Sequence, residues 1–157
     1  MNGETGIRDL LTALYTREYF DEYIGRELER SRRHGIALSV ASVVVVNYTE
    51  LEIARPGLGD RALIETAKAL QANVRQTDSV FRWEQDEFLI LFFEVGADSC
   101  RKKIQQLATL FRLWREGNGP LPVPIKVRIG AATHDRDIVF AAVLQAARSA
   151  AREDTRF

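Results

Sequence analysis

The chain has 157 residues, 46% of them hydrophobic, with 22 Lys and Arg balanced by 22 Asp and Glu. That is enough for one domain around one core, spanning 1–157, and it leaves no basic excess to hold a long polyanion through counterion release, so nucleic acid is not expected as a partner. The one cysteine, Cys100, closes no internal disulfide, and no Cys/His cluster has zinc-ligand spacing. The apolar stretch Ile36 to Val46, broken by Ser39 and Ser42, falls short of the roughly 20 residues of a membrane helix, and no basic-then-apolar leader opens the chain; a soluble, cytoplasmic protein is expected.

In chain order, Thr16 can cap a helix whose Phe20, Tyr23, Ile24 and Leu28 follow helical spacing, with Gly35 as its stop. A buried strand follows at Leu38 to Val46. After the turn-rich Arg55-Pro56-Gly57-Leu58-Gly59, Asp60 is a good N-cap for a helix with Leu63, Ile64, Ala67, Leu70 and Val74 on one face. A hairpin is expected at Ser79 to Trp83 and Phe88 to Phe93, then a helix capped by Asp98 that buries Ile104, Leu107, Phe111 and Trp114 and stops at Gly117-Asn118-Gly119-Pro120. Ile125, Val127 and Ile129 alternate with Lys126 and Arg128 as in a strand with one wet face, and Asp137 to Arg152 reads as a last, alanine-rich helix. The order is α-β-α-β-β-α-β-α.

The hairpin turn carries the most chemistry. Asp86 and Glu87 place two carboxylates at the mouth of a continuous apolar strand, as in a metal or nucleotide site. Beside them stand Glu84 and Gln85, where close approach of a phosphate calls for glycine, since only a residue without Cβ lets backbone N–H groups crowd an anion.

These residues carry a resemblance. Asp9-Leu10-Leu11-Thr12-Ala13-Leu14-Tyr15-Thr16-Arg17 resembles the D-x-L-T-G-L-x-N-R opening of GGDEF domains, the bacterial diguanylate cyclases. Arg82-Trp83-Glu84-Gln85-Asp86-Glu87-Phe88 stands where that family has R-Y-G-G-D-E-F. Gly59-Asp60-Arg61-Ala62-Leu63 resembles G-D-x-x-L, and Val127-Arg128-Ile129-Gly130 resembles the later V-S-I-G strand. The four pieces are collinear and span nearly the whole chain. The resemblance implies an α+β, palm-like fold, a central mostly antiparallel sheet flanked by helices.

It also implies a site from which much is missing. Such cyclases hold two divalent ions on a first-strand carboxylate and the third letter of the signature, and the ions ready a ribose hydroxyl to attack a phosphate. Asp86 fills the second role, but the first falls on Val44, which cannot bind a hard cation through its side chain. Glu84 and Gln85 replace both glycines. The guanine-reading asparagine aligns with Glu52, Asp60 keeps the matching carboxylate, and the lysine of the last helix falls near Thr155. On this resemblance Asp60, Asp86 and Glu87 are remnants of a degenerate active site, with no catalytic residue, metal or cofactor expected. Arg75-Gln76-Thr77-Asp78 lies where the family carries its R-x-x-D inhibitory site for cyclic di-GMP. An arginine fork can meet O6 and N7 of guanine while a carboxylate accepts from its N1 and N2 donors. Arg101, Lys102 and Lys103 are candidate further cations, none of them assigned.

Each feature has a plainer alternative. Arg75 and Asp78 could form a surface ion pair or a cap. Asp86-Glu87 could be a solvated turn, and Asp60 only an N-cap. His34 and His134 read as surface residues and Trp83 and Trp114 as core, while Arg30-Ser31-Arg32-Arg33-His34 is balanced by Glu27 and Glu29. The expected function is that of a catalytically inactive GGDEF domain that binds cyclic di-GMP through Arg75 and Asp78, as a homodimer or with a partner signalling protein. The alternative is a nucleotide-independent dimerisation or docking module. Turnover of GTP in the altered cleft is a third possibility.

Overall fold

The computed structural model of the chain describes residues 6–135 and 139–153. Ten elements follow one another: β1 (Tyr15–Thr16), α1 (Arg17–His34), β2 (Leu38–Val45), α2 (Tyr48–Ala54), α3 (Leu58–Ala72), β3 (Ser79–Glu84), β4 (Glu87–Phe93), α4 (Ala97–Arg115), β5 (Val127–His134) and α5 (Phe140–Glu153). The strands form one sheet in the order β1-β3-β4-β2-β5, parallel only between β1 and β3. The expected α+β sheet flanked by helices is therefore present.

Period-two alternation assigns the layers. Ala41, Val43, Val45, Phe88, Ile90 and Phe92 face α3 and α4 in one core, with Leu63, Leu70, Leu107, Phe111 and Trp114. Val40, Leu89, Leu91, Phe81 and Trp83 face Phe20 of α1 and Val143 and Ala147 of α5 in a second. Covered on both faces, β2 and β4 are buried at every residue, which is why they read as unbroken apolar runs. Among the described residues no helix is long and apolar enough to cross a membrane.

Thr16 does cap α1, its hydroxyl accepting the Tyr19 N–H at 3.2 Å, and Gly35 ends it in the left-handed region at φ 65°. Other boundaries move. The helix α2 was not expected; it is 7 residues long and buries only Leu51, too little for a periodic signal. α3 starts at Leu58 behind Gly57 (φ 89°), so Asp60 lies in its first turn and is not its N-cap. The cap comes from Glu52 of α2, whose carboxylate accepts the N–H groups of Gly57 at 3.1 Å and Asp60 at 3.0 Å. Gly59 permits this: a Cβ there would lie 2.7 Å from Glu52 Cγ and 2.8 Å from the Tyr48 carbonyl. Gly96, not Asp98, precedes α4, and Asp98 pairs instead with Arg101 at 3.0 Å. Ile125 lies just ahead of β5. The expected start of the last helix at Asp137 lies outside the described residues.

Candidate functional site

β3 runs to Glu84 and β4 begins at Glu87, leaving Gln85 and Asp86 as the turn, with a register shift at Trp83. Arg82 ties this turn down. Its guanidinium donates to the carbonyls of Glu84 (3.1 Å) and Gln85 (2.7 Å) and to Asp9 Oδ2 (2.9 Å). Asp9 also accepts from the backbone N–H and hydroxyl of Thr12, so the opening motif docks directly on the hairpin. Burial pushes the Asp9 carboxyl up, but the Thr12 hydrogen bonds and the Arg82 charge outweigh it and hold it below its ordinary value. On the solvent side Glu84 meets Arg17 at 2.6 Å, and the Arg17 guanidinium lies over the Trp83 ring at 4.3 Å.

Glu87 corrects the expectation of a solvated turn. Its side chain is fully buried and directly opposite Val44 in the sheet register, with Arg128 on the other side of that valine. Ser42 donates to Oε2 at 2.7 Å. Arg148 of α5 forks onto both oxygens, Nε to Oε2 and Nη2 to Oε1, each at 2.9 Å. Arg152 adds Nη2 to Oε1 at 3.2 Å and reaches Asp86 Oδ1 at 3.4 Å. Burial alone would raise the Glu87 carboxyl; the hydrogen bonds from Arg148 and Ser42, with the Arg148 charge, bring it below its ordinary value. The same bond raises the Arg148 guanidinium.

These residues do not fit the divalent ions that a GGDEF signature implies. Val44 offers no donor, Asp86 in the metal-holding place is engaged by Arg152 at 3.4 Å, and its neighbour Glu87, opposite Val44, already receives four hydrogen bonds. Among the described residues no group of three or more His, Cys, Asp or Glu is gathered to hold a metal. Asp60 stands apart from Asp86 and Glu87 in its bonding: its Oδ1 accepts the Tyr48 hydroxyl at 2.9 Å, and burial together with that bond raises the Tyr48 phenol. Glu52 is held below its ordinary value by the backbone N–H groups of Gly57 and Asp60, which marks it as a helix cap here.

The Arg75-Asp78 pair closes on itself at the opposite end of the sheet. Asp78, with a fully buried side chain, accepts the Arg75 backbone N–H (2.9 Å), the Arg75 guanidinium (3.2 and 3.4 Å) and the Phe93 N–H (3.3 Å). Arg75 is 48% exposed and donates a further bond to the Phe93 carbonyl at 2.6 Å. The pair thus pins the start of β3 to the end of β4 and leaves one face of the arginine in water. Near the same end a cavity of about 850 Å³, lined by Leu28, Ile36, Ala37 and Phe140 among others, opens between α1 and α5 and touches neither residue of the pair.

Sequence reasoning missed Ser42, Arg148 and Arg152 as partners of Glu87. The available signal was Arg148 and Arg152 spaced i, i+4 in a helix otherwise dominated by alanine, on the turns that bury Ala147 and Ala151. His34, Arg32 and Arg33 are exposed, with Glu29 pairing both arginines, and Trp83 and Trp114 are core, as expected.

Residues 7–156 match the family described as "Diguanylate cyclase, GGDEF domain". The diguanylate cyclase DosC of Escherichia coli K12 is 28% identical over 127 residues, 79% of this chain and 27% of that protein. The probable diguanylate cyclase DgcC of the same strain is 23% identical over 126 residues, 80% of this chain and 34% of its own length. The chain thus spans about a quarter to a third of the length of these relatives. Among solved structures, diguanylate cyclase SiaD in complex with its activator SiaC from Pseudomonas aeruginosa superposes with a TM-score of 0.83 at 26% identity, over 96% of this chain and 58% of that one. The GGDEF domain of DgcB from Caulobacter crescentus, in complex with c-di-GMP, also reaches 0.83, at 18% identity over 96% and 90% of the two chains. A family match across nearly every residue, on a five-stranded sheet that superposes this well, means that the chain belongs to the GGDEF family.

Proposed function

We propose that this GGDEF domain does not make cyclic di-GMP and instead binds it, with Arg75 as the reading residue. The observation that supports the first half is Val44 in the place of the first-strand carboxylate, facing a buried Glu87 occupied by Arg148, Arg152 and Ser42, with Asp86 engaged by the same Arg152. A cleft in that condition lacks the carboxylate pair that would bring two ions to a triphosphate. The second half is supported by the half-exposed Arg75 guanidinium, held in a fixed direction by Asp78 and the Phe93 carbonyl. That fork suits the O6 and N7 acceptors of a guanine, and a GGDEF domain of the same fold is known in complex with c-di-GMP. Asp78 positions the arginine and reaches the base only if the pair opens.

Calorimetric titration of cyclic di-GMP into wild type and Arg75→Ala tests this, alongside a product assay with GTP and Mg2+. Saturable heat from wild type that is lost in Arg75→Ala, with no product formed, is the expected outcome; product from wild type, or heat from neither protein, removes the proposal. The burial of Asp78 favours one other reading, a docking or dimerisation module without nucleotide, in which the pair is purely structural. Sedimentation with and without the dinucleotide separates the two, since a nucleotide-independent module keeps one mass.

A further inference from the structure

The carboxylate of Glu87 is fully withdrawn from water, and a buried charge persists only with a counter-charge and hydrogen bonds around it. In a metal-dependent cleft the ion supplies that charge. Here Arg148 supplies it, in the two-pronged geometry that best matches a carboxylate, and its own side chain is only 25% exposed. We propose that Arg148 and Arg152 are the resident counter-cations of the signature carboxylates, Arg148 on Glu87 and Arg152 bridging Glu87 to Asp86, the residue in the metal-holding place, and that together they stand where a divalent ion would need to sit. The cleft is then closed to metal by two separate means, the apolar Val44 and the guanidinium pair.

The charged groups that the described residues bring to this point fit the assignment. Arg152 bridges Glu87 and Asp86, so both signature carboxylates are engaged from one helix. Glu84 adds a favourable field at Arg148, and Arg128 donates to the Arg152 carbonyl at 3.3 Å, tying the end of α5 to the edge strand. Because residue 44 and Glu87 are register partners, a carboxylate placed at 44 would lie within the reach of Arg148 and pair with it before any ion could bind. Restoring the missing ligand alone would therefore not restore a metal site.

The inference rests on the reading of the domain as a non-cyclase, and Mn2+ titration tests it. Wild type and Val44→Asp are expected to give no saturable heat at millimolar Mn2+, while Val44→Asp/Arg148→Met binds at least tenfold more tightly than Val44→Asp. Equal affinity of the single and double variants overturns the proposal. Val44→Asp/Arg148→Lys, which keeps a cation at the site, is expected to stay blind to Mn2+; binding there like the methionine variant also overturns it. Should the double variant be partly unfolded, Mn2+ is expected to raise its Tm and leave that of Val44→Asp unchanged, and no rise refutes the idea. GTP turnover by wild type would sink the non-cyclase reading, whereas a silent wild type with a metal-binding Val44→Asp sinks the arginine assignment alone.

Discussion

Gly130→Ala isolates the contact on which the site geometry depends. A Cβ at Gly130 would lie 2.3 Å from the Ala151 nitrogen and 2.4 Å from the Ala147 carbonyl, both backbone atoms of α5. Each distance is about 1 Å short of ordinary van der Waals contact, and no side chain can rotate away to relieve it. The helix must back off β5, and Arg148 and Arg152, one residue beyond those contacts, move with it. A retreat of that size stretches the 2.9 Å bonds to Glu87 past useful length. Overpacking of this kind costs about 2–3 kcal/mol, which for a chain of this size lowers Tm by roughly 5–10 °C. Calorimetry or circular dichroism on heating reads the change directly. Gly25→Ala is the control: nothing lies within 4 Å of its Cβ, and it sits exposed within α1. That substitution should stabilise by about 0.5–1 kcal/mol through helix propensity. A Tm for Gly130→Ala within about 1 °C of wild type, or an equal fall for Gly25→Ala, refutes the reasoning.

Both residues of the Arg75-Asp78 pair should prove to hold the fold. Asp78→Ala removes a buried acceptor of two backbone N–H groups and a guanidinium and is expected to cost about 2–3 kcal/mol of stability. Arg75→Ala strips that buried carboxylate of its counter-charge, so its urea midpoint should fall as well, whereas Arg75→Lys, which keeps a cation beside Asp78, should fall much less; an Arg75→Ala midpoint equal to that of wild type counts against the pairing. Acid stability follows from the lowered carboxyls. Glu87 and Asp9 titrate below their unfolded values of 4.5 and 3.8, so their contribution is complete above those values and is lost as pH falls through the folded ones. Tm should therefore be level from pH 7 to about 5 and decline below about pH 4.5, and the decline should be shallower in Glu87→Gln. A Tm unchanged down to pH 3 would contradict it.

Much of this molecule is written along the chain. Helical spacing with Thr16 and Gly35 at its ends marks α1, and apolar runs mark β2 and β4, because local periodicity and capping act over a few residues. Signature letters gave the family for the same reason, since each motif is contiguous. What only tertiary structure decided is which charges meet. Glu87 reads as a turn carboxylate until β2, β4 and α5 converge, and then Arg148, distant by 61 positions, becomes its partner. Asp60 reads as a cap until Glu52, from a helix with almost no periodic signal, takes that role across Gly59. Arg75 and Asp78 show the limit most sharply: their spacing is visible in the sequence, but the burial of one and exposure of the other depend on where Phe93 ends its strand. Hydrophobic patterning records which face of an element is dry, whereas the worth of a charge depends on solvent and neighbours that the chain assembles only on folding.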